Sequence, residues 1–341
     1  MDERRATRFS ILDRSLTAAG RSPGEALRDT VALAAEADRL GYHRFWVSEH
    51  HALPGVAGAA PTVLAAAVAA TTGRIRVGTG GVMLPNHPPL VVAEQFGVLA
   101  SLHPGRVDMG LGRSIGFTPA VRRALGAGQE DAEDFEARLV ELLGHFEGHS
   151  PVRAVPAEGL PVPAFVLATG GGAEIAAHQG LPVVLGGPEE RVSALADRYR
   201  AAFRPSRWLA ARETSAPYVV VAANAAAAVT PERAALLQAP EAWSVARSRT
   251  RGTFPGLSRP DEVPVGAMTA SERRHYDAVR SSQVHGTGEQ VAAALAGRAE
   301  RVGADEVLLT LHTHDPLDRL ASYRGLAPFL VPGAVDPPPL P

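Results

Sequence analysis

The sequence predicts a (β/α)8 barrel, and three observations support this α/β fold class. Eight short runs of strand-forming residues alternate with stretches that carry apolar residues at helical spacing. Helices between successive strands are the connections that parallel strands require. The chain has 341 residues, which suits one barrel domain of this type. We therefore expect residues 1–330 to form a single barrel domain and the Pro-rich tail, residues 331–341, to be disordered.

The first half of the chain predicts four strands and three intervening helices. Each predicted helix starts at a proline, a residue favoured in the first turn, and the first of them stops at Gly41. The strands are expected at residues 9–12, 45–48, 75–77 and 107–111, and the helices at residues 23–40, 61–72 and 89–102.

The second half predicts four more strands and two long interruptions. Strands are expected at residues 165–167, 183–185, 218–223 and 306–311, and helices at residues 173–179, 189–203, 288–302 and 318–329. Segment 112–163, with one helix at 132–146, and the Arg-, Pro- and Ser-rich segment 233–283 break the alternation. We interpret them as insertions after strands 4 and 7 over the active face. A small separate domain is the alternative, but neither segment has the apolar periodicity of its own core.

Two absent residue types exclude several kinds of chemistry. The chain has no cysteine, which excludes thiol nucleophiles, iron–sulfur clusters, zinc–thiolate sites and disulfides. It also has no lysine, which excludes a Schiff base and a phosphate-loop lysine. A net charge of −2 gives no reason to expect nucleic acid or membrane partners. Without a long apolar run or a signal-peptide core, we expect a cytoplasmic protein.

Polar and glycine residues follow several predicted strands, where barrel enzymes place their active sites. Histidine suits proton transfer near neutral pH, although a buried structural histidine is the alternative for each one. The candidates are Asp13, Glu49-His50-His51, Thr79-Gly80-Gly81, Arg113-Ser114, Thr169 to Gly172, and His312-Thr313-His314-Asp315.

The glycine motifs and the histidine pairs allow more than one interpretation. The run from Gly110 to Gly116 fails as a Rossmann fingerprint, because its third glycine is one residue late. Arg113 offers a bidentate phosphate clamp, or it is a surface arginine. Gly170-Gly171-Gly172 precedes a helix whose N–H groups could bind phosphate, or it is a flexible loop. His312 and His314 follow the last strand rather than the first, which disfavours a metal-dependent hydrolase, and we predict no metal.

Three motifs make the chain similar to a known family. They are Phe45-Trp46-Val47-Ser48-Glu49-His50-His51, the segment from Ile75 to His87, and the segment from Pro104 to Arg113. With further matches at residues 199–206, 285–291 and 305–306, the sequence resembles the bacterial-luciferase-like flavin-dependent monooxygenases over roughly residues 8–330. The nearest branch includes tailoring oxygenases of aromatic polyketide pathways.

The resemblance implies a two-component monooxygenase. Reduced FMN would come from a separate flavin reductase, and O2 would form a C4a-hydroperoxyflavin that hydroxylates or epoxidises a small apolar or aromatic substrate. By resemblance His50 is the catalytic histidine, which assists proton transfer and stabilises the peroxyflavin, while Glu49 and His51 support the pocket. A homodimer through helices beside the early strands is also implied, with residues 65–70 as a small-residue face.

The resemblance also implies how the flavin is bound. Thr79-Gly80 corresponds to a cis, non-prolyl peptide beneath the flavin ring, with Gly81 beside it, and Arg113 to a phosphate-binding arginine. Relatives in this branch carry a Ser-rich phosphate loop after strand 5. Here that loop is Ala168-Thr169-Gly170-Gly171-Gly172, in which only Thr169 has a hydroxyl. Phosphate binding would then depend on Arg113 and on backbone N–H groups.

Two other functions fit the same barrel. One is hydride transfer with the deazaflavin coenzyme F420, and the other is a flavin-binding paralogue without turnover. The apolar residues of the two insertions indicate a sizeable apolar or aromatic pocket, without assigning any of them to it: Phe117, Phe135, Phe146, Trp243 and Phe254.

Overall fold

A computed structural model describes residues 6–206, 208 and 216–333, and within these ranges ten parallel strands form one sheet. Eight of them close into a barrel, because the last one pairs with both the first and the eighth in chain order. The predicted barrel is therefore confirmed. The strands are β1 (Arg8–Asp13), β2 (Arg44–Val47), β3 (Arg76–Thr79), β4 (Val82–Met83), β5 (Val107–Gly112), β6 (Ala164–Ala168), β7 (Val183–Leu185), β8 (Val219–Ala227), β9 (Val284–Gly286) and β10 (Glu306–Thr310).

The two shortest additions, β4 and β9, pair with β5 and β8 outside the closed ring. Helices surround the barrel, and none in the described residues is long and apolar enough to cross a membrane. Residues 334–341 of the predicted tail lie outside the described residues. The helices are α1 (Pro23–Leu40), α2 (Pro61–Thr71), α3 (Pro89–Leu102), α4 (Pro119–Leu125), α5 (Gln129–Glu133), α6 (Phe135–Glu147), α7 (Gly172–Gln179), α8 (Glu189–Ala202), α9 (Pro231–Arg251), α10 (Ala270–Arg280), α11 (Gly288–Val302) and α12 (Pro316–Leu330).

Both insertions follow the predicted strands, after β5 and after β8, but they contain more structure than the sequence indicated. The first holds α4 and α5 as well as α6, and the second holds α9 and α10. Helix α9 was missed because Pro240 lies inside it, and an interior proline usually ends a helix. Its apolar side packs with α10 in a small cluster around Trp243 and Tyr276.

The N-terminal side of the barrel is closed by a buried network of charges. The Arg44 guanidinium lies 2.8 Å from Asp108 and 3.1 Å from Glu306, and Arg76 contacts the other Asp108 oxygen at 2.6 Å. Arg44 also lies over the ring of Phe165, 4.8 Å from its centroid. An apolar layer that includes Phe165 and Trp46 covers this network. The barrel interior is therefore filled at one end, and open space remains at the C-terminal ends of the strands.

Candidate active site

A cavity of about 490 Å³ opens at the C-terminal ends of the barrel strands, within the size range of small-molecule sites. Its deep wall is apolar and comes from the barrel strands, through Leu12, Val184, Ala222 and Leu308. Nine of the eleven predicted site residues line it: Glu49, His50, Gly80, Gly81, Arg113, Thr169, Gly170, Gly171 and Gly172. Residues predicted at four separate strand ends therefore meet at one cavity.

His50 lies at the cavity in a neutral form. It follows β2, and its backbone N–H donates to the Gly58 carbonyl at 2.8 Å, which fixes the chain at this position. Its Nδ1 lies 3.2 Å from the Ser48 hydroxyl, and Nε2 has no hydrogen-bond partner in the described chain. Burial, followed by the positive charge of Arg14, lowers the pKa of His50 to about 4. At neutral pH the ring is therefore uncharged and keeps a nitrogen lone pair.

Glu49 points away from His50 and holds two other histidines. Its Oε1 lies 2.6 Å from His51 Nε2 and 2.8 Å from His87 Nε2, and its Oε2 accepts the Met83 backbone N–H at 2.8 Å. Burial alone would raise the pKa of Glu49, but the hydrogen bonds from His87, His51 and Met83 outweigh it and lower this pKa. Since an ionised carboxylate only accepts, both histidine Nε2 atoms carry their proton.

The same three side chains have donor atoms within 4.8 Å of one another, an arrangement that would also admit a metal ion. The close hydrogen bonds already satisfy Glu49, His51 and His87 without one. His51 does not line the cavity. Its side chain instead contacts Glu49 and helps to hold that carboxylate in place. His87 ends the second of the three family motifs, but nothing in the sequence indicates that it reaches Glu49.

Part of the cavity wall is built from Gly80 and Gly81, and the neighbouring strand contributes Gly110 behind them. A Cβ on Gly110 would lie 1.9 Å from the Thr79 carbonyl oxygen, and one on Gly81 would lie 2.7 Å from the Gly110 carbonyl oxygen. Neither position can hold a larger residue without movement of the backbone. The cavity therefore has a flat wall at Gly80 and Gly81 on which a planar ring system could lie.

The cis peptide was predicted one residue too early. The cis bond joins Gly80 and Gly81, not Thr79 and Gly80. Thr79 is still part of β3, where it pairs with Val47, and its hydroxyl donates to the Gly110 carbonyl at 2.7 Å. This hydroxyl therefore belongs to the barrel wall, and Thr79 does not line the cavity.

The glycine-rich loop lies at the other end of the cavity. It connects β6 to α7, and the N–H groups of Gly170 and Gly171 donate to no other backbone group in the described residues. Arg113 approaches this loop, since its NH1 would lie 3.7 Å from a Cβ on Gly171. Its Nε donates to the Ala132 carbonyl at 3.1 Å, which leaves the outer guanidinium nitrogens available. Backbone donors and a cation thus face the same space.

Of the five aromatic residues considered for the substrate pocket, only Phe117 lines the cavity. Its ring is parallel to that of His50, with centroids 6.1 Å apart. Phe135 and Phe146 lie in the core outside the barrel, while Trp243 and Phe254 belong to separate clusters in the second insertion. The sequence could not distinguish these positions because all five lie in the two insertions, and no local pattern indicates which insertion residues reach the cavity.

Among the remaining candidates at strand ends, Ser114 lines the cavity, whereas Asp13 and His312 belong to a buried network beside it. Asp13 accepts from Arg319 at 2.7 Å, and His312 Nε2 accepts the Arg14 backbone N–H at 3.1 Å. Glu241 of α9 forms an ion pair with Arg14. These contacts attach α9 and α12 to the barrel rim. His314 and Asp315 line a different, solvent-open pocket, so His312 and His314 do not form the metal site that was considered.

The whole arrangement agrees with a family comparison, in which a model described as luciferase-like monooxygenase matches residues 7–306. The chain belongs to the luciferase-like monooxygenase family. The predicted resemblance is therefore confirmed, and the chain is an enzyme of the oxidoreductase class.

The uncharacterized protein YvbT of Bacillus subtilis (strain 168) is 37% identical over 334 residues, which cover 96% of this chain and 97% of the relative. A protein of Escherichia coli (strain K12) named luciferase-like monooxygenase is 35% identical over 323 residues, 92% of this chain and 94% of the relative. The crystal structure of apo-MsnO8 superimposes with a TM-score of 0.81 at 30% identity, covering 95% of this chain and 98% of that one.

Proposed function

We propose that this protein is a two-component monooxygenase that uses reduced FMN and O2 to oxidise a small apolar or aromatic substrate. The observation that carries the proposal is the single cavity that joins a neutral, accessible histidine to a glycine wall and to an arginine-flanked glycine loop. These three parts match the needs of a cofactor with a reactive planar ring and a phosphate.

Each part of the cavity has a separate task in this proposal. Gly80 and Gly81 would lie against the flavin ring, and Arg113 with the N–H groups of the loop would bind the phosphate. Bound reduced FMN supplies the electrons for the reaction with O2. His50 would accept and return a proton at its free Nε2, and Glu49 would fix Met83 and the two neighbouring histidines.

The substrate would occupy the part of the cavity between His50, Phe117 and the apolar strand wall. The apolar lining there favours a hydrophobic or aromatic molecule, and the parallel rings of His50 and Phe117 favour a planar one. We propose that the reaction is a hydroxylation or an epoxidation and that it takes place during polyketide tailoring. A separate reductase would supply the reduced flavin, and a cytoplasmic location stays a prediction.

The test is a rapid mixing experiment. The protein is incubated anaerobically with photoreduced FMN and then mixed with oxygenated buffer, while absorbance is recorded across the flavin spectrum. We expect a transient spectrum that differs from those of reduced and oxidised flavin. In the His50→Ala variant the transient should decay about tenfold faster, because it loses a stabilising hydrogen bond to a charged group, which is worth about 1.5 kcal/mol or more.

The same mixture without protein provides the free reoxidation rate, and coenzyme F420 provides the alternative cofactor. The proposal fails if FMN reoxidises at its free rate in the presence of the protein. It also fails if F420 binds tightly while reduced FMN does not bind. Equal decay in the wild type and in His50→Ala would remove the role that we assign to His50.

A further inference from the structure

A second arginine lies against the glycine-rich loop, in addition to Arg113. A Cβ on Gly170 would lie 3.7 Å from NH2 of Arg191, a residue in the first turn of α8. The matching distance from a Cβ on Gly171 to Arg113 NH1 is also 3.7 Å. The two guanidinium groups therefore reach adjacent loop residues from different elements, one after β5 and one on α8.

Neither of these arginines is neutralised by a carboxylate in the described chain. Arg191 makes no hydrogen bond or ion pair there, and Arg113 bonds only to the Ala132 carbonyl. Two nearby acidic residues on α7 and α8 pair with other arginines, because Glu174 lies 3.7 Å from Arg198 and Glu189 lies 2.5 Å from Arg301. Two guanidinium groups without a carboxylate partner in the described residues thus lie against this loop. Arg113 lines the cavity, and Arg191 approaches the loop from α8 without being part of the cavity lining.

The loop itself shows that this space is not required for packing. Gly170 and Gly171 have no positive φ, and a Cβ at either position would make only ordinary contacts. Nothing in the protein alone therefore demands glycine there, whereas the approach of a ligand to the loop backbone would. The loop has only one hydroxyl, on Thr169, so its anion donors must be backbone N–H groups and arginines.

We infer that Arg191 is a phosphate-binding residue that acts together with Arg113 on the FMN phosphate. This inference rests on the proposed function. Arg191 supplies the charge-assisted hydrogen bonds that hydroxyl groups would otherwise supply at this loop. Because both arginines are exposed to solvent, the contribution of Arg191 is the modest one of a screened charge, about tenfold in the dissociation constant of FMN.

The experiment compares FMN with riboflavin, which has the same ring but no phosphate. Dissociation constants for both flavins, photoreduced and kept anaerobic, are measured by ultrafiltration with the wild type, Arg191→Met, Arg191→Lys and Arg198→Met. Arg198 is a matched control, because it lies two turns further along α8 and already has a partner in Glu174. Circular dichroism and melting temperature establish that each variant is folded.

We expect Arg191→Met to bind FMN about tenfold more weakly and riboflavin unchanged, with partial recovery in Arg191→Lys and none of these effects in Arg198→Met. Higher salt should weaken FMN binding to the wild type more than to Arg191→Met. Equal FMN affinity in the wild type and Arg191→Met, or a parallel loss for both flavins, overturns the role of Arg191. If the wild type binds neither flavin, the proposed function itself is wrong.

Discussion

At the scale of single residues, His50 and Glu49 are adjacent in sequence but have opposite environments. Glu49 accepts three hydrogen bonds and remains ionised, whereas His50 has one weak contact to Ser48 and remains neutral. Adjacent residues at a strand end point in different directions, so the two side chains meet different neighbours although both residues line the cavity. This geometry explains why a single short motif can hold an uncharged ring and an ionised carboxylate side by side.

Because His50 is neutral in the folded protein, folding stability decreases at low pH. Its pKa falls from 6.5 to about 4 on folding, so the unfolded chain takes up a proton between these values while the folded chain does not. Stability must therefore decrease as pH falls from about 6.5 towards 4. In His50→Gln the loss of unfolding free energy between pH 8 and pH 5, measured by urea denaturation, should be smaller by about 2 kcal/mol.

His43 is a second histidine whose pKa is lowered by burial, and it lies away from the cavity. Burial, then the charge of Arg44, lowers its pKa to about 4, and it lies at the other end of β2. His43→Gln should therefore reduce the acid sensitivity by a similar amount, while His149→Gln, at an exposed position, should leave it unchanged. An acid sensitivity of His50→Gln identical to that of the wild type would contradict the neutral state assigned to His50.

At the scale of elements, the strands could be predicted and parts of the insertions could not. Strands such as β7 are short apolar runs buried on both faces, which is a local property of the sequence. Helix α9 carries polar residues on its buried side. Gln238 donates to Asn224 at 2.7 Å, and Glu241 pairs with Arg14, so their burial depends on partners distant in sequence. No periodicity reveals such pairs.

The same distinction applies to the site. Residues that directly follow a strand, such as His50 and Gly80, were predictable because all strand ends meet at one face. His87, Phe117 and Arg191 were not, because they reach the site from a turn, an insertion and a helix, and only their folded positions relate them to it.

The charge network that closes the barrel depends on Asp108. This carboxylate is fully buried and contacts both Arg44 and Arg76, so its removal leaves Arg44 buried beside Glu306 alone. We expect Asp108→Ala to lower the unfolding free energy by about 3–5 kcal/mol, because it uncouples a buried charge. Urea denaturation at pH 7 measures this loss.

A surface ion pair provides the comparison. Asp261 pairs with Arg259 at 3.3 Å, and both side chains are largely exposed. Asp261→Ala should therefore leave the unfolding free energy nearly unchanged. A loss in Asp108→Ala as small as this one would show that the network does not stabilise the closed end of the barrel.

At the scale of the whole molecule, the two ends of the barrel have different roles. The charge network and the apolar layer fill one end of the barrel. The cavity opens at the other end, where both insertions lie. Segment 252–258 of the second insertion packs on the loop after β2, with Gly55 N–H donating to the Phe254 carbonyl at 2.9 Å. The insertions thus shape access to the cavity without interrupting the barrel.

The outer surface at α2 and α3 is where we expect a second copy of the chain to bind. The predicted small-residue face, residues 65–70, is largely used against the barrel, since Ala65, Val68 and Ala69 are buried. Outward from it, however, α3 exposes Val91, Val98 and Leu102 at helical spacing, and Val63 of the neighbouring α2 is also exposed. Adjacent exposed apolar stripes are typical of interfaces.

We therefore expect a homodimer in sedimentation velocity at micromolar concentration. Val63→Glu combined with Leu102→Glu should convert it to a monomer, because a charge buried in an apolar interface costs several kcal/mol. Val229→Glu is the matched control, since Val229 is 94% exposed in the turn before α9, away from this surface. A wild-type monomer, or a dimer that persists in the double variant, would show that α2 and α3 do not form the interface. Retention of FMN binding by the monomeric variant would place the complete flavin site within one chain, as the cavity lining indicates.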